Sequence, residues 1–138
     1  MIAYLDASVV LRIVLRQPQP LARWRQLDTA VASALTEVEC LRTLDRMLQL
    51  GQLAETELAP RRVAVYELLE AVDVVAIGAP VLRRASQSFP TPLGTLNALH
   101  LATAMSWRDG RSEELVFATH DRALATAARA TGFTVVGV

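Results

Sequence analysis

Short apolar runs alternate with helical repeats along this chain, and this alternation limits the fold more than any other feature. The strand candidates are apolar runs at 2–5, 29–33, 72–77, 114–119 and 133–138. The helix candidates lie between them, at 7–15, 21–27, 36–50, 54–71, 80–88, 95–107 and 121–130. Such alternation produces right-handed crossovers and a mostly parallel sheet that is covered on both faces. The pattern therefore predicts an α/β fold with four to five strands.

The composition indicates one globular domain spanning residues 1–138. Hydrophobic residues make up 52% and charged residues 20% of the chain, which is enough apolar material for a sizeable core. The 14 basic residues balance 14 acidic ones, so any basic surface for a nucleic acid must be local. The single cysteine, Cys40, excludes an internal disulfide, and no apolar run has the length of a membrane span. We expect a cytoplasmic protein with no membrane partner.

Polar residues follow the predicted strands at the places where ligands bind in parallel sheets. Asp6 and Ser8 follow the first strand, Glu39 follows the second, and Thr119 and Asp121 follow the fourth. The carboxyl ends of parallel strands share one edge, and ligands bind in the crevice beyond it. These side chains are therefore expected to converge.

Helix capping is the simpler interpretation of each residue taken singly. Asp6, Ser8 and Asp121 precede or open helices, and Thr36 with Glu39 has the spacing of a capping box. A cap contributes only about 1 kcal/mol, and such residues are common where strands lead into helices. Capping does not explain several carboxylates at one edge, because clustered anions repel one another and need a cation nearby. The set therefore favours a metal site.

Hard divalent cations such as Mg²⁺ prefer carboxylate and water oxygens. Asp6, Glu39 and Asp121 supply carboxylates, while Ser8 and Thr119 are hydroxyls suited to orienting a carboxylate or a water. A cation held in this way activates water and offsets the charge on a phosphodiester in transit. Hydrolysis of nucleic acid is the chemistry that these residues indicate.

Four segments resemble the PIN-domain ribonucleases, in particular the VapC toxins of bacterial toxin–antitoxin pairs. They are IAYLDASVVLRIV, ASALTEVECLR, LGTLNALHLATA and VFATHDRALATAARATGFTVV, in that order across nearly the whole chain. The resemblance implies a three-layer α/β/α sandwich and Mg²⁺- or Mn²⁺-dependent endoribonuclease activity. It also implies a VapB-like antitoxin as partner and a homodimer.

The resemblance assigns four positions to the metal site, and one of them departs from the family pattern. The acidic residues of the family fall on Asp6, Glu39 and Asp121, whereas Asn97 stands where the family has a further aspartate. An amide keeps one oxygen that can bind a cation, but it has no charge and adds a competing donor. We expect reduced metal affinity and reduced or abolished activity. The sequence leaves open whether the asparagine is natural or introduced.

A cluster of arginines is the candidate surface for RNA. Contacts with RNA phosphates are predicted for Arg12, Arg16, Arg23, Arg25 and Arg42. Trp24, between two of them, is suited to stacking on a base, and the alternative is a solvated helix face with Trp24 in the core. His100 and His120 are interpreted as structural hydrogen-bonding residues outside the mechanism.

Three functions compete at this point. The leading one is a metal-dependent endoribonuclease that acts as the toxin of a pair, with Asp6, Glu39, Asn97 and Asp121 in its active site. The alternative is a catalytically silent PIN-like module that binds RNA or an antitoxin. A signalling domain with an acidic pocket is the third, and it is disfavoured because the chain has no lysine to complete such a pocket.

Overall fold

The computed structural model describes residues 1–18 and 24–138. Its strands are β1 (Ile2–Leu5), β2 (Thr29–Ser33), β3 (Asp73–Val75), β4 (Leu115–Ala118) and β5 (Val135–Val136). Its α-helices are α1 (Ala7–Val14), α2 (Leu35–Gln49), α3 (Glu55–Glu70), α4 (Ala79–Ala85), α5 (Thr95–Arg108) and α6 (Arg122–Ala130).

The five strands form one parallel sheet in the order β3-β2-β1-β4-β5. Alternate residues of β1 point to opposite faces of this sheet. Ala3 and Leu5 pack in the core with α1, α2 and α3. Tyr4 packs in a second core with α5 and α6, and α4 lies against α5. The predicted α/β class and the three-layer α/β/α architecture are confirmed.

Helix α5 is buried along much of its length, and its sequence explains why. Ala98, Leu101, Ala102 and Ala104 are all buried, and three of these four side chains are single methyl groups. Small side chains on several faces let a helix approach a sheet and a second helix at once. This packing fixes the polar residues of the same helix, Asn97 and His100, at the edge of the sheet.

The boundaries of several elements differ from those predicted. Strands β3 and β5 are shorter than the apolar runs suggested, because both lie at the outside of the sheet and pair with only one neighbour. In the predicted helix 21–27 the structure describes only a 3-10 turn, Trp24–Gln26, and 21–23 lie outside the described residues. Val38, predicted in the buried stripe of α2, is 55% exposed. The stripe is therefore narrower than its spacing suggested.

The capping box predicted from Thr36 and Glu39 is wrong. Helix α2 begins one residue earlier, at Leu35, and the hydroxyl of Ser33 accepts the backbone N–H of Leu35 at 3.1 Å. Both predicted capping residues therefore lie inside the helix, and Glu39 is available for another role. Within residues 1–18 and 24–138, no helix is both long enough and apolar enough to cross a membrane.

Candidate active site

The two central strands of the sheet end at the same edge. Strands β1 and β4 pair in register from Ile2 with Leu115 to Leu5 with Ala118, so the residues that follow them emerge together. The backbone N–H of Asp6 donates to the carbonyl of Ala118 at 3.2 Å, which extends this pairing to the edge itself. The strand order changes direction here, where parallel sheets bind ligands.

Asp6 is a buried carboxylate whose two oxygens are used differently. Oδ1 accepts the Ser8 hydroxyl at 2.6 Å and the Val9 backbone N–H at 3.1 Å, so Asp6 does cap α1. Oδ2 accepts the Thr119 hydroxyl at 2.7 Å, from across the sheet. Burial raises the pKa of Asp6, although the hydrogen bonds from the Ser8 and Thr119 hydroxyls oppose that rise. An N-cap carboxylate does not have to be buried, so capping of α1 does not by itself explain the burial of Asp6.

Asp121 lies beside Asp6 and is joined to it through Thr119. The Thr119 hydroxyl accepts the backbone N–H of Asp121 at 3.0 Å while it donates to Asp6. The Oδ1 atom of Asp121 accepts the Leu124 N–H at 2.9 Å and caps α6. Ser8 makes a parallel link, because its hydroxyl accepts the His120 N–H at 2.9 Å. Ser8 and Thr119 therefore support the Asp6 carboxylate by hydrogen bonds and connect it to the backbone of His120 and Asp121.

Asn97 lies at the same edge and contacts Asp121 directly. Its Nδ2 amide donates to Oδ2 of Asp121 at 3.2 Å. A carboxylate at position 97 would place two acceptors against each other, which is unfavourable without a proton or a cation between them. The Asn97 amide therefore stabilises the negative charge of Asp121 by a hydrogen bond, as a bound cation would by its positive charge.

Glu39 reaches this edge from α2, on the other side of the sheet from α5. Its carboxylate oxygen Oε1 lies 2.6 Å from Nε2 of His100, a residue that is 2% exposed. The other ring nitrogen of His100 lies 2.7 Å from the Tyr4 hydroxyl. His100 is thus a structural hydrogen-bonding residue, as predicted, but the sequence did not reveal that its partner is Glu39.

The surroundings of Cys40 indicate that the carboxylates of Glu39 and Asp6 both lie near its thiol. Burial raises the pKa of the Cys40 thiol to about 12, and the negative charges of Glu39 and Asp6 contribute to the rise. We expect Cys40 to remain unmodified by a thiol reagent such as DTNB at pH 8 in the native protein, and to react fully after unfolding in urea. Rapid modification of the native protein would contradict this placement.

A divalent cation fits the chemistry of this edge, with water completing its coordination shell. Within residues 1–18 and 24–138, no three His, Cys, Asp or Glu side chains are close enough to enclose an ion by themselves. Mg²⁺ commonly binds through one or two carboxylates and retains several waters. The Thr36 hydroxyl, on the same face of α2 as Glu39, is buried without a hydrogen-bond partner in the described protein. The donor set therefore suits a hydrated cation.

At Gly137 the C-terminal segment packs against Thr119 and His120, at one side of the carboxyl edge of the sheet. Its φ of +101° is in the region that favours glycine, and a Cβ built there would lie 2.4 Å from the Thr119 carbonyl oxygen. The Gly137 carbonyl accepts the ring Nδ1–H of His120 at 2.7 Å. Glycine is required here because the C-terminal segment lies directly against the residue that joins Asp6 to Asp121.

We expect Gly137→Ala to lower the free energy of unfolding by about 2–4 kcal/mol, because backbone strain adds to steric overlap with Thr119. Gly51→Ala is the matched control, since Gly51 has a φ of +71° but open space around a Cβ. Its expected cost is about 1 kcal/mol. Urea denaturation of both variants measures the difference, and equal costs would contradict the overlap at Gly137.

The arginines predicted to contact RNA differ in how far the structure exposes them. Arg16 and Arg42 are exposed, and Arg42 forms an ion pair with Asp45 at 3.0 Å. Arg12 is half-buried on α1, whereas Arg23 and the side chain of Arg25 lie outside what the structure describes. Trp24 packs against the core that contains α1, as the alternative interpretation predicted.

Comparison with known proteins places the chain in a family. The PIN domain matches residues 3–130. The chain is 30% identical to Ribonuclease VapC47 of Mycobacterium tuberculosis (strain CDC 1551 / Oshkosh) over 137 residues, which cover 94% of this chain and 92% of that protein. It is 36% identical to Ribonuclease VapC46 of Mycobacterium tuberculosis (strain ATCC 25618 / H37Rv) over 104 residues, 73% of this chain and 72% of that protein.

A solved structure has the same fold despite low sequence identity. A toxin-antitoxin complex from Klebsiella pneumoniae contains a chain that matches this one with a TM-score of 0.65 and 14% identity. The match covers 99% of this chain and 97% of that one. This protein therefore belongs to the PIN-domain family and, within that family, to the VapC type.

Proposed function

We propose that this protein is an endoribonuclease that acts as the toxin of a toxin–antitoxin pair and depends on a divalent metal ion. The observation that carries the proposal is the meeting of Asp6 and Asp121 at the carboxyl edge of β1 and β4, joined by Thr119. Glu39 approaches the same edge from α2. The two relatives named Ribonuclease VapC47 and Ribonuclease VapC46 support the activity.

We assign the residues of the site distinct roles. Asp6, Glu39 and Asp121 hold the cation, directly or through water, and Asn97 can add its amide oxygen, because its contact with Asp121 uses Nδ2 and not the oxygen. Ser8 and Thr119 keep the Asp6 carboxylate oriented by their hydrogen bonds. When bound, Mg²⁺ or Mn²⁺ lowers the pKa of water and offsets negative charge on the scissile phosphodiester. The partial exposure of Glu39, Asn97 and Asp121 leaves the RNA backbone access to these side chains.

The RNA surface remains a prediction, and among its arginines the structure shows Arg16 and Arg42 exposed and Arg12 half-buried. Arg12, Arg16 and Arg42, with Arg23 and Arg25, are proposed to contact phosphates rather than bases. Contacts of this kind give affinity that falls steeply with salt and carry little sequence information. The ion pair of Arg42 with Asp45 makes Arg42 the weakest of the exposed candidates, because part of its charge is already compensated.

Cleavage of a fluorophore-labelled RNA tests the proposal. We expect cleavage with Mn²⁺ or Mg²⁺, none after treatment with EDTA, and recovery when metal is added back. The structured fold should persist throughout, which circular dichroism can verify. Cleavage that continues undiminished in EDTA would contradict a metal-dependent reaction at this edge.

A silent module that binds RNA or antitoxin is the second candidate, and the Asn97 contact is what favours it. The 3.2 Å hydrogen bond from Asn97 to Asp121 stabilises the edge without a metal, so this chain can retain its shape while it binds weakly to a cation. If the protein is a silent module of this kind, RNA should bind and remain uncleaved, both in this chain and in Asn97→Asp. Cleavage in either form excludes it.

We also propose a VapB-like antitoxin as the partner of a homodimer of this chain. The similar structure is a toxin-antitoxin complex, which supports a partner of that kind. The groove between α2 and α3 is the proposed place for an antitoxin helix, with Val38 and Leu41 as its apolar residues and Arg42, Asp45 and Arg62 as its charged ones. Light scattering of the chain, alone and with the antitoxin, measures both assemblies.

A further inference from the structure

A continuous set of hydrogen bonds runs from the interior of the sheet to the candidate metal site. The Tyr4 hydroxyl lies 2.7 Å from Nδ1 of His100, and Nε2 of His100 lies 2.6 Å from Oε1 of Glu39. Tyr4 is fully buried and His100 is 2% exposed, whereas the Glu39 side chain is 21% exposed. The chain thus connects two buried residues to a carboxylate at the surface.

The chemistry of the three groups sets the direction of these bonds. A carboxylate only accepts, so Nε2 of His100 carries the hydrogen that lies between it and Glu39. In the neutral imidazole with its hydrogen on Nε2, Nδ1 accepts from the Tyr4 hydroxyl. The Tyr4 hydroxyl, 2.7 Å from Nδ1, supplies the hydrogen of this bond. Each donor in the chain therefore has one acceptor.

These contacts are more specific than core packing requires. His100 comes from α5, which packs on the Tyr4 face of the sheet, whereas Glu39 comes from α2, which packs on the opposite face. The bond therefore fixes the relative positions of two layers exactly where they meet. His100 also lies three residues after Asn97, on the same face of α5.

We infer that His100, held in place by Tyr4, is a positioning residue that directs the Glu39 carboxylate toward the edge where a divalent cation binds. The ring holds one Glu39 oxygen and leaves the other for the cation or for its water. Residues that orient metal-binding carboxylates act through the ligand and not by contact with the ion. This inference rests on the proposed function for its activity readout, and its other readouts do not need that function.

Two substitutions at position 100 separate positioning from packing. His100→Gln retains an amide donor near the place of Nε2, whereas His100→Leu removes it and keeps an apolar side chain of similar bulk. We expect His100→Leu to weaken Mn²⁺ binding, measured by electron paramagnetic resonance, by about tenfold, and His100→Gln by roughly threefold or less. In RNA cleavage, His100→Leu should lower kcat with little change in KM. A purely structural role predicts losses that follow thermal stability and no advantage for glutamine.

Tyr4→Phe provides a second test in case the variants at position 100 fold poorly. It removes one hydroxyl from the far end of the chain and leaves the direct contact of His100 with Glu39 in place. We expect a smaller decrease in Mn²⁺ affinity than for His100→Leu, with the aromatic packing against Phe117 retained. Unchanged Mn²⁺ affinity in both Tyr4→Phe and His100→Leu would overturn the inference.

Nitrogen-15 NMR of the histidine ring tests the contact independently of metal and activity. The structure predicts that His100 carries its hydrogen on Nε2, and that Glu39→Gln shifts the Nε2 resonance while Tyr4→Phe shifts Nδ1. An Nε2 resonance that does not respond to Glu39→Gln would overturn the inference even if the protein is an active nuclease. Conversely, the expected shifts in a protein that fails to cleave RNA would support the positioning contact and count against the proposed function.

Discussion

Replacement of Asp6 by asparagine should reduce RNA cleavage on the order of 100-fold or more, because it removes a charge at the centre of the proposed metal site. Asp6 is the most deeply buried of the three carboxylates and contacts Thr119, which in turn contacts Asp121. The loss should appear in kcat and in Mn²⁺ affinity. The rate of cleavage of a labelled RNA over a range of Mn²⁺ concentrations measures both.

The same substitution removes a charge that opposes folding of the metal-free protein, although it also replaces an acceptor of the Ser8 or Thr119 hydroxyl by a donor. Burial raises the pKa of Asp6 in the folded state, so the ionised carboxylate opposes folding at neutral pH when no cation is bound. This unfavourable contribution is fully present above the raised pKa, and it disappears as the pH falls through that pKa toward the ordinary value. The thermal stability of Asp6→Asn relative to that of the parent, measured in EDTA, should therefore fall as the pH is lowered.

Glu37→Gln is the matched control for the loss of one negative charge. Glu37 is exposed and lies two residues before Glu39 on α2, so its replacement changes the net charge equally without touching the site. We expect cleavage within about twofold of the parent, as for a surface charge screened by salt. Equal losses in Asp6→Asn and Glu37→Gln would mean that net charge, and not a site at Asp6, controls the activity.

Asn97→Asp should have the opposite effect, increasing Mn²⁺ affinity and RNA cleavage on the order of tenfold or more, since charged ligands bind hard cations more tightly than amides. It should also lower the thermal stability of the metal-free protein. The present 3.2 Å hydrogen bond from Asn97 to Asp121 would be replaced by a contact between two carboxylates. Added Mn²⁺ should restore the lost stability, which differential scanning fluorimetry with and without EDTA can follow.

Two controls separate the effect of charge from the loss of the amide donor. Asn97→Ala removes the donor without adding a charge, so it should lower metal-free stability only slightly and should not increase Mn²⁺ affinity. The double substitution Asn97→Asp with Asp121→Asn exchanges the two groups, which restores a donor and an acceptor and keeps the parent net charge. Its metal-free stability should return toward that of the parent. Metal-free stability that is unchanged in Asn97→Asp would contradict the contact with Asp121.

The overall fold and the convergence of Asp6, Thr119 and Asp121 were predictable because both depend on the order and direction of the strands. Alternating apolar runs and helical repeats identified the elements, and parallel strands necessarily bring their carboxyl ends to one edge. Asp6 and Asp121 follow directly after β1 and β4, so their neighbourhood followed from topology. The supporting contact of Thr119 followed for the same reason.

The contacts of Glu39 were not predictable from local patterns. Thr36 and Glu39 have the spacing of a capping box, but helix α2 begins one residue earlier than predicted, at Leu35. Residue propensities do not define a helix boundary to within one residue. Glu39 instead contacts His100, which is distant in sequence and comes from the other face of the sheet. That pairing depends on how two helix layers pack against Tyr4, a tertiary effect. The exposure of Val38 has the same cause, because packing and not spacing decides which part of an apolar stripe is covered.

Anomalous diffraction from crystals soaked in Mn²⁺ tests the central claim most directly, namely that the carboxyl edge of β1 and β4 holds a divalent cation. We predict a manganese peak at this edge beside Asp6 and Asp121, approached by Glu39, and its loss in Asp6→Asn. A fully soaked crystal without a peak at this edge, or with manganese bound only elsewhere, would contradict the account.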